Sequence, residues 1–252
     1  MQPNQVVSRQ EWIAARKAHL DHEREFTRAR DRLSAERRAL PWVKVEKSYV
    51  FDGPSGQQSL ADLFDGRSQL VVQHFMFAPD WNEGCKSCSF WADGFERMIP
   101  HLAARDTTLV AVSRAPPQKL QAFKARMGWT FGWFSSAAND FNYDYAVSFT
   151  PEQINSGTRI YNFGTTDFSI EEAPGISVFY RDEAGTIFHT YSCYARGLDM
   201  MNAAYHYLDL TPLGRHEDGL PYAMDWVRLR DQYRPAAPAN SCCGSARSAD
   251  KP

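Results

Sequence analysis

The chain has 252 residues, 43% of them hydrophobic and 23% charged, with 28 basic against 30 acidic side chains and a formal net charge of -2. That is the composition of a globular protein of one large or two small domains. It excludes disordered, collagenous and coiled-coil readings, and with no excess of positive charge it argues against general nucleic-acid binding.

No run of eighteen apolar residues occurs, and the N-terminus has no apolar segment behind its charges, so neither a membrane span nor a secretory leader is expected. The expected location is the cytoplasm. Five cysteines are an odd number and a low density for this length, which argues against a secreted disulfide framework and leaves redox chemistry or metal binding.

In chain order, the first forty residues read as helix. Ser8 and Glu11 have the spacing of a capping box, in which hydroxyl and carboxylate each satisfy a backbone donor, and no Gly or Pro follows until Pro41. The sevenfold step joining Phe26, Leu33 and Leu40 makes one narrow apolar stripe. It is expected to pack on the helix's own domain, with a partner-binding or dimerising helix as the functional alternative. His19 and His22 stand three apart and read as surface histidines in preference to metal ligands.

Residues 42–51 read as extended, ending in the turn-prone Asp52-Gly53-Pro54, and residues 59–64 as a short helical turn closed by Asp65-Gly66. Residues 70–77 are nearly all apolar, as a strand covered on both faces should be. Helical periodicity runs over residues 89–105. A second buried strand covers 108–112, and Pro116-Pro117 opens a helix ending at Met127-Gly128. This alternation implies a parallel sheet with crossover helices. Residues 176–180 and 186–191 flank Asp182-Glu183-Ala184-Gly185 as a β-hairpin, so the sheet is mixed. Between these parts, residues 129–170 are rich in aromatics and carry little period, which suits a lid, a substrate wall or plain packing. A short helix is expected over 200–208, and residues 234–252 read as a flexible tail without apolar anchors.

The sharpest feature is Cys85-Lys86-Ser87-Cys88, placed after a buried strand and opening a helix. A helix N-terminus offers unpaired N–H groups and partial positive charge, which favour thiolate over thiol. Two intervening residues on a first turn bring the second sulfur within reach of the first. Cys85 is therefore assigned as nucleophile and Cys88 as resolving thiol, with Lys86 adding favourable charge and Glu83 opposing it. A structural zinc site would commonly supply a second Cys or Cys/His pair at matching spacing, and no other CxxC exists here. Metal binding and simple packing stay as alternatives.

The order of elements from about residue 49 to 194 resembles the thioredoxin-like fold, and Pro174 stands just ahead of the hairpin strand, like the cis-proline that faces the dithiol in thioredoxins. More closely, EWIAARKAHL, LADLFDGRSQLVVQHFMFAPDW, CKSCSFWAD, MGWTFGWFSS and TYSCYARGLD resemble the bacterial family called domain of unknown function 899, described as thioredoxin-like. The resemblance implies an α/β three-layer fold with a mixed central sheet. It divides the chain into an N-terminal helical extension (1–41), a thioredoxin-like domain (42–233) with an aromatic insertion at about 129–170, and the tail (234–252). It also implies a dithiol/disulfide oxidoreductase that needs no organic cofactor, acts on a disulfide-containing substrate and is recharged by a dithiol electron donor.

Departures from the thioredoxin pattern are visible. Trp81 is separated from Cys85 by three residues, and Phe75 falls near the place where thioredoxins bury an acid; His74 is the nearest titratable substitute on that strand, though a core histidine is the plainer reading. Peroxiredoxins place Pro seven and Thr or Ser three residues before their reactive Cys, where this chain has Ala78 and Asn82, so a peroxidase is a minor reading. Trp81, Pro174 and Arg114 are the expected substrate-binding residues, with pairing to a carboxylate the alternative for Arg114. Cys242 and Cys243 are candidates for a thiol relay from the tail, and Cys193 reads as a buried inert thiol. A non-catalytic binding protein and a soft-metal protein remain the other classes.

Overall fold

The computed structural model describes residues 4–165 and 170–233. Cys242 and Cys243 lie outside the described residues. Helix α1 (Arg9–Arg38) starts with the expected box: Glu11 N–H donates to Ser8 Oγ at 3.3 Å and Ser8 N–H to Glu11 Oε2 at 2.9 Å. Its stripe, however, does not pack on the domain. No residue of α1 is buried, and Phe26 is 70% exposed. A helix of this length spans about 45 Å, and it meets the body at its last turn, where the Arg37 guanidinium lies 4.9 Å over the Tyr191 ring.

Eight strands form one mixed sheet: β1 (Val43–Lys44), β2 (Val50–Gly53), β3 (Gly56–Ser59), β4 (Gln69–His74), β5 (Thr107–Ser113), β6 (Gly132–Ser135), β7 (Gly175–Arg181) and β8 (Ile187–Tyr194). Their order is β1-β8-β7-β4-β5-β6-β2-β3. β4, β5 and β6 run parallel, while β7 pairs antiparallel with β4 on one side and β8 on the other. Parallel neighbours need crossovers, supplied by α2 (Lys86–Phe95) with α3 (Ile99–Ala103), and by α4 (Pro117–Met127). The helix expected over 89–105 is thus divided, with a 3-10 turn over Glu96–Met98 and Pro100 in the first turn of α3, where its missing N–H costs nothing.

Alternation along the strands sorts the core into two sides. Ala111, Trp133, Phe75 and Cys88 pack with Ala92, Phe95, Leu120 and Phe123 of α2 and α4. Leu70, Val72, Val110, Val112, Phe134 and Phe179 pack on the other side with Phe51, Phe64 and Phe141. Trp133 and Phe134 show that the aromatic stretch is in part a sheet strand: β6 is buried on both faces, which erases the period that would have revealed it. Within the same stretch lie two short helices, α5 (Phe141–Asp144) and α6 (Pro151–Ser156). A 3-10 segment (Ala195–Met201) and α7 (Ala203–Leu208) follow the hairpin. No described helix is long and apolar enough to cross a membrane.

Candidate active site

β4 ends at His74, and the chain leaves the sheet through Phe75, Met76 and Phe77 before returning to open α2. Cys85 N–H donates to Met76 O at 3.0 Å, and Met76 N–H donates to Cys88 Sγ at 3.5 Å, so the outgoing and returning arms brace each other. Gly84 gives this arm its close approach to the core: a Cβ there would sit 2.8 Å from the Phe75 ring and 3.0 Å from that of Phe123, so any other residue would force the rings to move. Cys85 is the N-cap residue of α2, half-buried, and Cys88 one turn on is buried at 2% exposure. Both are free thiols.

This placement separates the two sulfurs electrostatically. The hydrogen bond from the Cys88 side chain is the largest cause lowering Cys85 to a pKa of about 7, helped by the N–H groups of Cys88 and Ser87 at the open helix end and opposed by burial. Cys88 is pushed well up, first by that same bond to Cys85, then by burial and by the negative charges of Cys85 and Glu172. One dithiol therefore holds a sulfur that ionises near neutral pH and a sulfur that keeps its proton. The flanking charges are engaged elsewhere: Glu83 binds Arg126, and Lys86 Nζ donates to Asp225 O at 2.9 Å.

Other expected residues fall unevenly around this pair. Trp81 is partly buried against the same core cluster as Cys85, with Lys119 Nζ donating to its carbonyl at 2.9 Å. Pro174 directly precedes β7, the neighbour of the dithiol strand, and its carbonyl accepts the Tyr161 hydroxyl at 2.7 Å. No described peptide bond is cis, so the proline lacks the isomer of its thioredoxin counterpart. Arg114 takes the carboxylate-pairing alternative: its Nε donates to Glu172 Oε1 at 2.6 Å and its Nη1 to the Tyr143 hydroxyl. His74 faces the side opposite Cys88. It lies among Phe141 and Tyr145, its Nε2 joined to Ser177 Oγ at 2.8 Å, and burial lowers it to about 3, so it stays neutral. Cys193 is buried and pushed up by that burial, in keeping with an inert thiol.

Glu172 is the residue that sequence reasoning missed. It is 1% exposed, accepts from Arg114 and from Ser148 Oγ at 2.8 Å, and lies close enough to raise the Cys88 pKa. Burial outweighs both of those favourable partners and raises its own pKa to about 7. The signal was present in its position two residues before Pro174, but Glu171-Glu172 reads as a surface pair. Among the described residues no group of three or more His, Cys, Asp or Glu side chains is arranged to hold a metal ion.

A dithiol between parallel strands at a helix N-terminus, with an antiparallel hairpin on the far side of the dithiol strand and a proline at its entry, defines a thioredoxin-like protein. The chain belongs to the family described as "Bacterial protein of unknown function (DUF899)", which matches over residues 1–233. No curated protein matches significantly. Among solved structures, peroxidoxin BcpB from Mycobacterium tuberculosis is 13% identical, the match covering 67% of this chain and 96% of that one at a TM-score of 0.42. Peroxiredoxin Q of Xanthomonas campestris is 14% identical over 63% of this chain and 90% of its own, with a TM-score of 0.43. Yeast mitochondrial 1-Cys peroxiredoxin is 17% identical over 68% and 78%, with a TM-score of 0.39. Likenesses this distant say nothing about chemistry.

Proposed function

We propose that the protein is a thiol–disulfide oxidoreductase in which Cys85 attacks and Cys88 resolves. The observation that carries this reading is the split within the pair: a half-buried Cys85 at a helix N-terminus with a pKa of about 7, backed by a buried Cys88 held protonated. Thiolate is the reactive form, and an attacking thiol with a pKa near ambient pH combines a high thiolate fraction with retained nucleophilicity.

The Cys85 thiolate attacks one sulfur of a substrate disulfide. That S–S bond breaks, the departing sulfur leaves as a thiolate, and a mixed disulfide joins Cys85 to the substrate. Ionised Cys85 no longer opposes ionisation of Cys88, which passes its proton to the Glu172 carboxylate. The Cys88 thiolate then attacks Cys85 Sγ, releasing the second substrate thiolate and leaving a Cys85–Cys88 disulfide. Two electrons have moved to the substrate, and an external dithiol donor returns them. Glu172, raised to about 7, has a proton affinity that suits a group able both to accept and to release this proton.

The test is dithiothreitol-driven reduction of a model disulfide. Cys85→Ser is expected to abolish turnover, and Cys88→Ser to trap the mixed disulfide, visible as added mass on Cys85. Undiminished turnover in Cys85→Ser would overturn the assignment.

A further inference from the structure

A cavity of about 750 Å³ opens between the sheet and the outer elements, with neither Cys85 nor Cys88 among its lining residues. Its floor is the α2 side of β4, β7 and β8, with Val71, Val178 and Ile176, and its walls include Trp91, Phe95 and Cys193. Met200 and Tyr207, 45% and 73% exposed, stand among its lining residues and mark the side open to solvent. That size and apolar lining match a small-molecule site.

Among the polar residues of the lining, which include His206, two have a buried atom with no hydrogen-bond partner among the described residues. One is Gln73 Oε1, on a side chain whose Nε2 is turned to Cys88 O at 3.5 Å and whose residue is 6% exposed. The other is Arg37 Nε at the end of α1. No described carboxylate lies within ion-pair distance of Arg37; its guanidinium rests on the Tyr191 ring, interacts with the Tyr191 side chain by a hydrogen bond and reaches Met200 Sδ at 4.0 Å, while Nε stays without a partner. Buried polar atoms are almost always paired, and these two ask for opposite things: Gln73 Oε1 needs a donor, and cationic Arg37 needs an anionic acceptor.

Sheet register sets the spacing of the backbone beneath them. Gln73 lies opposite Ile176, which lies opposite Cys193, while Tyr191, under Arg37, is one pleat along β8 and two strands away from β4. Two strand spacings and two residues put the Gln73 and Tyr191 backbones about 12 Å apart. We propose that the cavity binds an amphipathic monocarboxylate: its carboxylate on Arg37, its apolar chain along Val178 and Ile176, and a distal hydroxyl donating to Gln73 Oε1. This assignment is independent of the thiol chemistry proposed above.

The test is calorimetric titration of the full chain with ω-hydroxydecanoate, decanoate and decanol. ω-Hydroxydecanoate is expected to bind one to one, decanoate roughly tenfold more weakly for want of the donor, and decanol more weakly again for want of the charge, since each lost partner leaves a buried group unpaired. Arg37→Met, on a helix with no buried residue, should reduce ω-hydroxydecanoate binding at least tenfold and remove its advantage over decanol. Ile176→Trp should fill the cavity and abolish binding. Absence of saturable binding by the wild-type protein, equal affinity for the three probes, or affinity unchanged in Arg37→Met would each overturn the proposal; the first two need no variant.

Discussion

Arg114 Nε donates to Glu172 Oε1 at 2.6 Å, yet the carboxyl is held near a pKa of 7, because at 1% exposure the loss of water outweighs the ion pair. A proton can therefore enter and leave Glu172 in the range where Cys85 ionises. Replacement by Gln keeps an acceptor for Arg114 but removes the titration. Turnover of a model disulfide should fall by about a hundredfold, within the usual span for a proton-transfer group. In rapid-mixing experiments the mixed disulfide on Cys85 should then persist longer than in the wild type. An unchanged lifetime would remove Glu172 from the resolving step.

The same residue makes a stability prediction. A carboxyl raised from 4.5 to about 7 by folding contributes stability that is complete below its ordinary value and is lost as pH rises through its folded one. Between these limits the wild type should lose about 1.4 kcal/mol per pH unit relative to Glu172→Gln. Urea melts of both proteins across that range measure the difference, and parallel curves would contradict the raised value.

Cys85 offers a direct readout. Its alkylation rate by iodoacetamide should follow thiolate fraction, rising with pH to a midpoint of about 7. The largest lowering influence is the Cys88 hydrogen bond, so Cys88→Ala should move the midpoint upward, leaving only the N–H groups and the Ser87 side chain to hold the charge. A midpoint that stays put in Cys88→Ala would assign the shift to the helix end alone.

Local signals made much of the fold legible. The capping box at Ser8, the glycine after Met127 and the four-residue turn of the β7–β8 hairpin each act within a few residues, and each element formed where its signal stood, whereas the apolar run over 70–77 outlasts β4, which ends at His74. β3 was hidden because Gly56-Gln57-Gln58-Ser59 is a polar edge strand, and β6 because Trp133 and Phe134 are buried on opposite faces. The site divides the same way. Cys85 and Cys88 lie in one local motif, whereas the charge of Glu172 acts on Cys88 from a distant part of the chain, three residues before β7, a relation no spacing records. The exposure of the α1 stripe was equally unreadable, since a heptad step says that a face is apolar and not what it meets.

His74 should govern the acid side of stability. Burial lowers it from 6.5 to about 3, so the native state refuses a proton that the unfolded chain accepts. Stability contributed by the neutral ring is complete above pH 6.5 and is lost as pH falls toward the folded value, at about 1.4 kcal/mol per unit. His74→Gln, which can still bond Ser177 Oγ, should flatten that slope in urea melts while costing stability at neutral pH. A slope equal to that of the wild type would place the acid sensitivity elsewhere.

Gly84 tests whether the loop geometry sets the chemistry of the dithiol. An added methyl would press on the Phe75 and Phe123 rings at 2.8 Å and 3.0 Å, and both rings are packed in the core beneath Cys88, with little freedom to yield. Gly84→Ala should therefore cost about 1–3 kcal/mol, the usual range for overpacking. The strain falls one residue before Cys85, whose N–H holds Met76 O, so the arm carrying Cys85 has to shift as well. Its sulfur should then lose part of its approach to the N–H groups of Ser87 and Cys88, and the alkylation midpoint should rise above about 7. Phe75→Leu in the same chain makes room for the methyl. Recovery of the low midpoint in the double variant would show that the packing beneath Gly84 positions the Cys85 sulfur, and a midpoint that remained high would show that the glycine acts through the backbone alone.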